Sequence, residues 1–214
     1  MNTDDILRCI DHTLLKSAAS WADIKELCEE GIRLRAASVC IPPSYVGSVF
    51  AEYKKQIPVC TVIGFPLGYN SGGIKLLEAE KALADGADEL DMVINIGDVK
   101  NSAYDKVQDE IAEIKKIAGE KIVKVIIETC YLNHEEKIRL CEIVGSAGAD
   151  FIKTSTGFGS SGAVMEDILL FKAQLKPCVK IKAAGGIRTR EDMVKFLEAG
   201  CSRIGTSSAK ILLG

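Results

Sequence analysis

The sequence predicts an α/β protein with one domain over residues 1–214, in which eight parallel strands close into a (β/α)8 TIM barrel. Eight short apolar segments alternate with eight helical segments, and the loops between them are short. Nearly continuous apolar strands between amphipathic helices are typical of a parallel sheet covered by helices. An open, doubly wound sheet is the alternative, but no G-x-G-x-x-G motif follows an early strand.

The strands are predicted from short apolar runs, several of them rich in Val and Ile, that end at glycine, proline or polar turn residues. In chain order they cover 11–15, 37–41, 58–63, 89–96, 122–127, a sixth that starts at 150 and carries Lys153, 179–183 and 203–205.

The helices are predicted from apolar residues at helical spacing and from their end signals. Capping pairs three residues apart open three of them, at 20–23, 133–136 and 189–192, and Gly31 is expected to end the first. The predicted helical segments are 20–31, 44–55, 76–86, 107–118, 133–144, 165–175, 189–200 and 209–213.

A similar turn joins helix to strand at 85–88, 147–150 and 199–202. Each copy contains a glycine that supplies the positive φ of a helix end. The copies recur two units apart, as a repeating βα array would place them.

Composition excludes several classes of function. A net charge of -3 and a sequence pI of about 5.6 provide no overall basic field for nucleic acid. No apolar run is long enough to span a bilayer, and the acidic start at 1–5 is unlike a signal peptide, so a cytoplasmic protein is expected. The two histidines, His12 and His134, share no metal-ligand spacing with other residues, so neither a metal nor another cofactor is expected.

The eight cysteines contain no C-x-x-C pair, which indicates reduced thiols rather than a disulfide framework. Cys40 and Cys130 lie at strand ends near the expected mouth of the barrel. Because neither has an evident histidine partner, both are interpreted as packing residues.

Lys153 is the residue that most directly suggests chemistry. It lies on a strand among apolar and hydroxyl residues, where an ammonium loses hydration. A neutral lysine is an amine nucleophile that forms a Schiff base with a carbonyl compound. Taken alone, a strand lysine paired with a carboxylate is the simpler interpretation.

Side-chain alternation along the strands gives Lys153 charged neighbours. Lys182 is expected beside it, and Asp91, which shares a face with Asn95, is expected across the barrel. A second ammonium disfavours the charged form of the first, while Asp91 can stabilise positive charge and move protons. A plain buried ion network is the alternative, and Glu128 would be its additional carboxylate.

Glycine- and serine-rich loops after the last three strands predict a phosphate site at the same end of the barrel. Glycine lets backbone N–H groups approach an anion, although a tight turn is the alternative for any one glycine pair. The candidate residues are Thr156, Gly157, Gly185, Gly186, Ser207 and Ser208.

Five segments, in order along the chain, resemble the deoxyribose-phosphate aldolase family. The lysine motif Phe-Ile-Lys-Thr-Ser-Thr-Gly is highly specific, whereas the Asp-x-Val and Gly-Gly elements alone are weak. The segments are 11–15, 89–93, 151–157, 182–188 and 205–208.

The resemblance implies a class I aldolase, independent of metal, that converts 2-deoxy-D-ribose 5-phosphate into acetaldehyde and D-glyceraldehyde 3-phosphate and back. Lys153 would carry the imine, and Asp91 and Lys182 would handle protons. The resemblance also suggests a homodimer. Supporting residues would be Asp11, Glu128 and Thr156, and phosphate-binding residues Gly157, Gly185, Gly186, Ser207 and Ser208.

Two departures from the family pattern bear on the site. Ala184 and the loop at 159–162 differ from the commonest family sequence, which concerns loop geometry. Some members also carry a C-terminal tail that reaches the active site, whereas this sequence ends at Gly214. A difference in rate, or in proton exchange at the acetaldehyde carbon, is therefore expected.

Two other functions remain open from the sequence. One is a Schiff-base aldolase for a different sugar phosphate or keto acid. The other is a non-catalytic sugar-phosphate sensor, which would need the phosphate loops but gains little from three buried charges.

Overall fold

The computed structural model describes the backbone of residues 1–213 and the side chains of residues 1–211. Eight parallel strands form a closed barrel in sequence order, with β1 paired to both β2 and β8, which confirms the predicted fold. The strands are β1 Ile10–Thr13, β2 Ser38–Ile41, β3 Val59–Ile63, β4 Glu89–Val93, β5 Ile122–Ile126, β6 Phe151–Lys153, β7 Lys180–Ala184 and β8 Arg203–Thr206.

Helices cover the outside of the barrel, and most of the apolar core lies between them and the strands. The α-helices are α1 Thr3–Leu7, α2 Trp21–Leu34, α3 Val46–Tyr53, α4 Gly72–Ala84, α5 Ile96–Lys100, α6 Tyr104–Ala118, α7 His134–Ser146, α8 Met165–Gln174 and α9 Arg190–Ala199. Short 3-10 helices occur at Pro43–Tyr45, Thr129–Tyr131 and Ala209–Leu213. Gly214, on which the expectation about the end of the chain rests, lies outside the described residues.

Several of the end signals read from the sequence are present in the structure. Both reciprocal side-chain bonds of a capping box form at the start of α2 and of α7, and Thr189 accepts a bond from Asp192 N at the start of α9. The glycines of the recurring turns have positive φ: 107° at Gly86, 78° at Gly148 and 119° at Gly200.

The prediction that Gly31 ends the first long helix is wrong. Helix α2 continues to Leu34 and ends at Arg35, which takes the left-handed conformation itself. A Cβ on Gly31 would lie 2.7 Å from side-chain carbons of both Ile57 and Val39. This glycine therefore serves close packing of the helix on the sheet rather than a turn.

The fourth strand is shorter than predicted. It ends at Val93, and Asn95 caps α5 by accepting a bond from Gly97 N. Asn95 therefore does not extend the inner face that carries Asp91, because its side chain is used by the helix start. Helices α1 and α5 were not predicted, and Leu14 and Leu15 lie beyond β1 rather than inside it.

Strand register positions the charged side chains. Lys153 and Lys182 are direct partners on β6 and β7, and Asp91 is the partner of Lys124 on β5. Lys182 is also opposite Arg203 on β8.

Within the described chain no helix is both long and apolar enough to cross a membrane.

Candidate active site

Lys153, Lys182 and Asp91 meet inside the barrel, as the alternation of side chains predicts. Both ammonium nitrogens lie 2.7 Å from Asp91 Oδ2, so the two nitrogens are no more than twice that distance apart. All three residues are buried. The lysines are side by side as expected, and the carboxylate they share offsets the repulsion between them.

A wider ion network surrounds these three residues. Asp11 Oδ2 lies 2.5 Å from Lys182 Nζ, and Lys124 Nζ lies 2.8 Å from Asp91 Oδ1. Glu89 lies 2.5 Å from Lys124. Arg203 pairs with Glu89 through both terminal nitrogens, at 2.9 and 3.1 Å, and also donates to Asp11.

Lys124, Glu89 and Arg203 are members of this site that were not among the residues predicted from the sequence. The signal was available, because each lies on a strand and Glu89 is two residues before Asp91, on the same face. Across the described residues the network then contains four cations and three carboxylates. An excess of positive charge therefore persists, although carboxylates are more numerous than the sequence argument assumed.

These contacts fix the charge states around Lys153. Burial alone would raise the pKa of Asp91, but the ammonium groups of Lys124, Lys153 and Lys182 outweigh it and hold that pKa well below its ordinary value. The pKa of Asp11 is lowered in the same way, against burial, by Lys124, Lys182 and Arg203. Burial works against the charged form of Lys182, yet Asp11 and Asp91 raise its pKa. The resting site is thus a carboxylate–ammonium array.

Glu128 bonds to a loop residue rather than to a lysine of the ion network. It lies beyond β5 with φ of 49°, and its carboxylate accepts bonds from Thr156 N at 3.1 and 3.2 Å and from the Thr156 hydroxyl. Burial raises its pKa, against the Thr156 bonds and the charge of Lys153. Glu128 therefore supports the loop after β6 and is not the missing partner of the lysines.

A cavity of about 220 Å³ opens above Lys153 at the C-terminal end of the strands. Four of the predicted phosphate residues line it, namely Gly157, Gly185, Gly186 and Ser207, and so does Thr156. Two cationic side chains that the sequence argument did not select, Lys16 and Arg188, also line it. The cavity therefore combines a buried amine with exposed positive charge.

Glycines bring the cavity loops together. Gly157 and Gly185 have φ of 89° and 85°, and a Cβ on Gly185 would lie 2.9 Å from Gly162 Cα. Ala163 N donates to both Ala184 O and Gly185 O at 3.1 Å, which fixes the 159–162 loop against β7. Ser208 lies outside the cavity lining, and its N–H donates to the Thr206 hydroxyl at 3.0 Å.

Comparisons with known proteins are consistent along nearly the whole chain. The family model described as DeoC/LacD family aldolase matches residues 6–211. A deoxyribose-phosphate aldolase from Clostridium botulinum (strain Eklund 17B / Type B) is 58% identical over 213 residues, which is 100% of this chain and 96% of that protein. One from Clostridioides difficile (strain 630) is 56% identical, covering 97% of this chain and 95% of that protein.

Solved structures agree with the sequence relatives. The deoxyribose phosphate aldolase from Aeropyrum pernix, described as tetrameric, superimposes with a TM-score of 0.92 at 34% identity and covers 99% of this chain and 91% of that one. An aldolase named QR15 gives a TM-score of 0.92 at 43% identity, covering 96% of this chain and 92% of that one.

Proposed function

Since the chain belongs to the DeoC/LacD family of aldolases, we propose that it cleaves 2-deoxy-D-ribose 5-phosphate reversibly to acetaldehyde and D-glyceraldehyde 3-phosphate. The observation that carries the proposal is a buried lysine, Lys153, at the floor of a cavity whose walls carry glycine loops and two cations. Such a site suits a small substrate with a carbonyl group at one end and a phosphate at the other.

Lys153 is the nucleophile in this proposal. Lys153 first gives up a proton through water, and its neutral Nζ then attacks the C1 aldehyde of the open-chain sugar. A proton returns to the carbinolamine hydroxyl, and loss of water gives an iminium. The electrons of the C2–C3 bond then move into the iminium while the C3 hydroxyl loses its proton, which releases D-glyceraldehyde 3-phosphate. The remaining enamine takes a proton at C2, and hydrolysis frees acetaldehyde and the amine.

Asp91 holds positive charge on the reacting nitrogen. Its carboxylate lies 2.7 Å from Lys153 Nζ and stays ionised because its pKa is lowered by the three lysines against the effect of burial. An iminium carries the same charge as the ammonium that it replaces, so the network remains balanced as the intermediate forms. We assign proton transfer to the Asp91–Lys182 pair, acting through water, with Asp11 holding Lys182 in place.

The phosphate is assigned to the loops after β6, β7 and β8. Gly157, Gly185, Gly186 and Ser207 present backbone at the cavity wall, and Arg188 and Lys16 add positive charge there. Ser208 takes the neighbouring position and shapes the turn through its bond to Thr206.

Three further inferences concern the whole chain. We infer that residues 1–214 act as one aldolase domain and that the protein works in the cytoplasm without nucleic acid or membrane partners. The net charge of -3 supports the exclusion of nucleic acid. We also infer a homo-oligomer, with a dimer as the simplest form, which light scattering coupled to size exclusion tests directly.

Reductive trapping tests the central claim. With acetaldehyde and borohydride, the wild-type protein should gain one ethyl group on Lys153, read by peptide mass, and Lys153→Ala should lose both the adduct and cleavage of deoxyribose 5-phosphate. Lys180→Ala is the matched control, because this exposed lysine lies on the same barrel wall two residues before Lys182. Turnover in Lys153→Ala near the wild-type rate would exclude the assigned nucleophile.

The two rival functions predict other results. A non-catalytic sensor binds the sugar phosphate but gains no adduct. An aldolase for another compound gains the adduct with a different carbonyl substrate, so cleavage should be compared across several sugar phosphates and keto acids.

A further inference from the structure

Two cysteines that the proposed reaction does not use lie directly below the reacting groups. Cys40 on β2 and Cys60 on β3 are register partners, and both side chains are fully buried. Their sulfur atoms and a carboxylate oxygen of Asp91 all lie within 4.8 Å of one another. Cys40 is thus buried, as expected of a packing residue, and it also has a second thiol as its neighbour.

The contacts give the two thiols different properties. Cys60 Sγ donates to Asp91 Oδ1 at 3.1 Å and receives a bond from Lys124 Nζ at 3.3 Å. The neighbouring Cys60 side chain lowers the pKa of the Cys40 thiol, against the effect of burial. Burial, the neighbouring Cys40 and the Asp91 charge raise the pKa of Cys60 well above its ordinary value. Cys40 is therefore the better nucleophile, and Cys60 keeps its proton.

A metal ion is a poor occupant of this cluster, although two thiols and a carboxylate are ligands for zinc. Three ammonium groups lie within 2.8 Å of Asp91, and each would repel a divalent cation. The same charges do not oppose a reaction between the two sulfur atoms, because such a reaction adds no positive charge.

We propose that Cys40 and Cys60 form a reversible disulfide on exposure to a hydroperoxide, and that this disulfide inactivates the site around Asp91. The Cys40 thiolate attacks one peroxide oxygen, the O–O bond breaks, and Cys40 becomes a sulfenic acid while the other oxygen leaves as hydroxide or alkoxide. The Cys60 sulfur then attacks Cys40 and displaces hydroxide. With hydrogen peroxide, the two thiols lose two electrons and two protons, and the peroxide becomes two waters.

Cys40 lies close to the cavity, and the strand pairing suits a disulfide. Cys40 is the register partner of Thr13, which lines the cavity above Lys153. Adjacent strands are about 4.8 Å apart, which lies within the roughly 4.4–6.8 Å that separates the Cα atoms of a disulfide. The bond can therefore form between these two register partners, and a dithiol reduces it back to two thiols by exchange.

Inactivation follows because Cys60 loses its hydrogen bond to Asp91. As a disulfide it has no S–H to donate to Asp91, which lies on the strand next to β3. Asp91 is shared by both candidate catalytic lysines, so the loss of a hydrogen bond to its carboxylate affects both of them. The effect on activity rests on the proposed aldolase function, whereas the disulfide itself does not.

The test compares the wild-type protein with single thiol variants. Hydrogen peroxide should lower wild-type aldolase activity by at least about tenfold, and dithiothreitol should restore it. Peptide mass without reduction should show the Cys40 and Cys60 peptides linked, with the loss of two hydrogens. Cys60→Ala and, independently, Cys40→Ser should lack both the link and the reversible loss, each measured against its own untreated activity. Cys178→Ala, which removes an exposed thiol, should behave as wild type.

Three outcomes would overturn the proposal. They are an inactivated protein with no linked peptide, a linked peptide with undiminished activity, and the same reversible loss in Cys60→Ala. If the protein shows no aldolase activity at all, the proposed function fails. The linked peptide still shows whether the disulfide forms, so the two failures can be told apart.

Discussion

Asp91→Asn should destabilise the protein strongly, because it removes a charge that three buried ammonium groups share. Lys153 has no other carboxylate within ion-pair distance among the described residues, while Lys124 keeps Glu89 and Lys182 keeps Asp11. Breaking a buried ion pair by removing one partner costs about 3–5 kcal/mol of unfolding free energy. We expect Asp91→Asn to fall within that range.

A second substitution separates charge imbalance from lost packing. Lys124→Met removes an ammonium that Asp91→Asn leaves incompletely paired, so it should cost less in that background than in the wild type. Residues in one ion network show coupling of roughly 0.5–3 kcal/mol, and we expect the upper half of that range here. Urea unfolding of the wild type, both single variants and the double variant measures the coupling from midpoints and slopes.

An exposed ion pair provides the matched control. Lys25 and Glu52 lie 2.9 Å apart but are 37% and 46% exposed, so the cycle of Lys25→Met and Glu52→Gln should give less than about 1 kcal/mol. Additive effects at Asp91 and Lys124, within about 0.5 kcal/mol, would refute the shared-charge reasoning. The double variant should regain stability relative to additivity yet remain inactive, since Lys153 still lacks its carboxylate.

Two further predictions concern the phosphate loops and acid stability. Gly186→Ala and Gly148→Ala each place a Cβ at a φ of 78° with no atom within 4 Å, so each should lower the free energy of unfolding by about 1–2 kcal/mol. Only Gly186→Ala should raise KM for deoxyribose 5-phosphate. Equal KM values for the two variants would exclude phosphate beside Gly186. The lowered pKa values of Asp11 and Asp91 confer stability that is complete above the ordinary carboxyl pKa of about 4 and is lost as pH falls further. The urea midpoint of the wild type should therefore fall steeply below about pH 4, and that of Asp11→Asn less steeply; parallel curves would contradict this linkage.

The fold could be predicted because each unit carries its own local signals. The capping pair at Asn133 and Glu136 and the glycine at 148 mark both ends of one βα connection without reference to the rest of the chain. Local signals fail where tertiary packing decides. Gly31 has the appearance of a helix end, but its missing Cβ accommodates Val39 and Ile57 from elsewhere in the chain.

Part of the candidate site could be predicted from the sequence and part could not. Lys153, Lys182 and Asp91 could be placed together because alternation and strand order are properties of the sequence once a barrel is assumed. The same alternation could have placed Arg203 and Glu89 on the inner face, but it does not specify their pairing, which spans the barrel interior between β8 and β4. No periodicity in the sequence specifies which side chains are long enough to reach across.

The ion network has a consequence for protein engineering. It continues from Lys153 near the mouth to Arg203, whose side chain is 14% exposed near the beginning of β8. Transplanting Lys153 and Asp91 into another barrel would transfer only the part of the ion network that lies nearest the mouth. A designer would also need to import Arg203 and Glu89, which do not line the cavity and which a search confined to the ligand's surroundings would never sample.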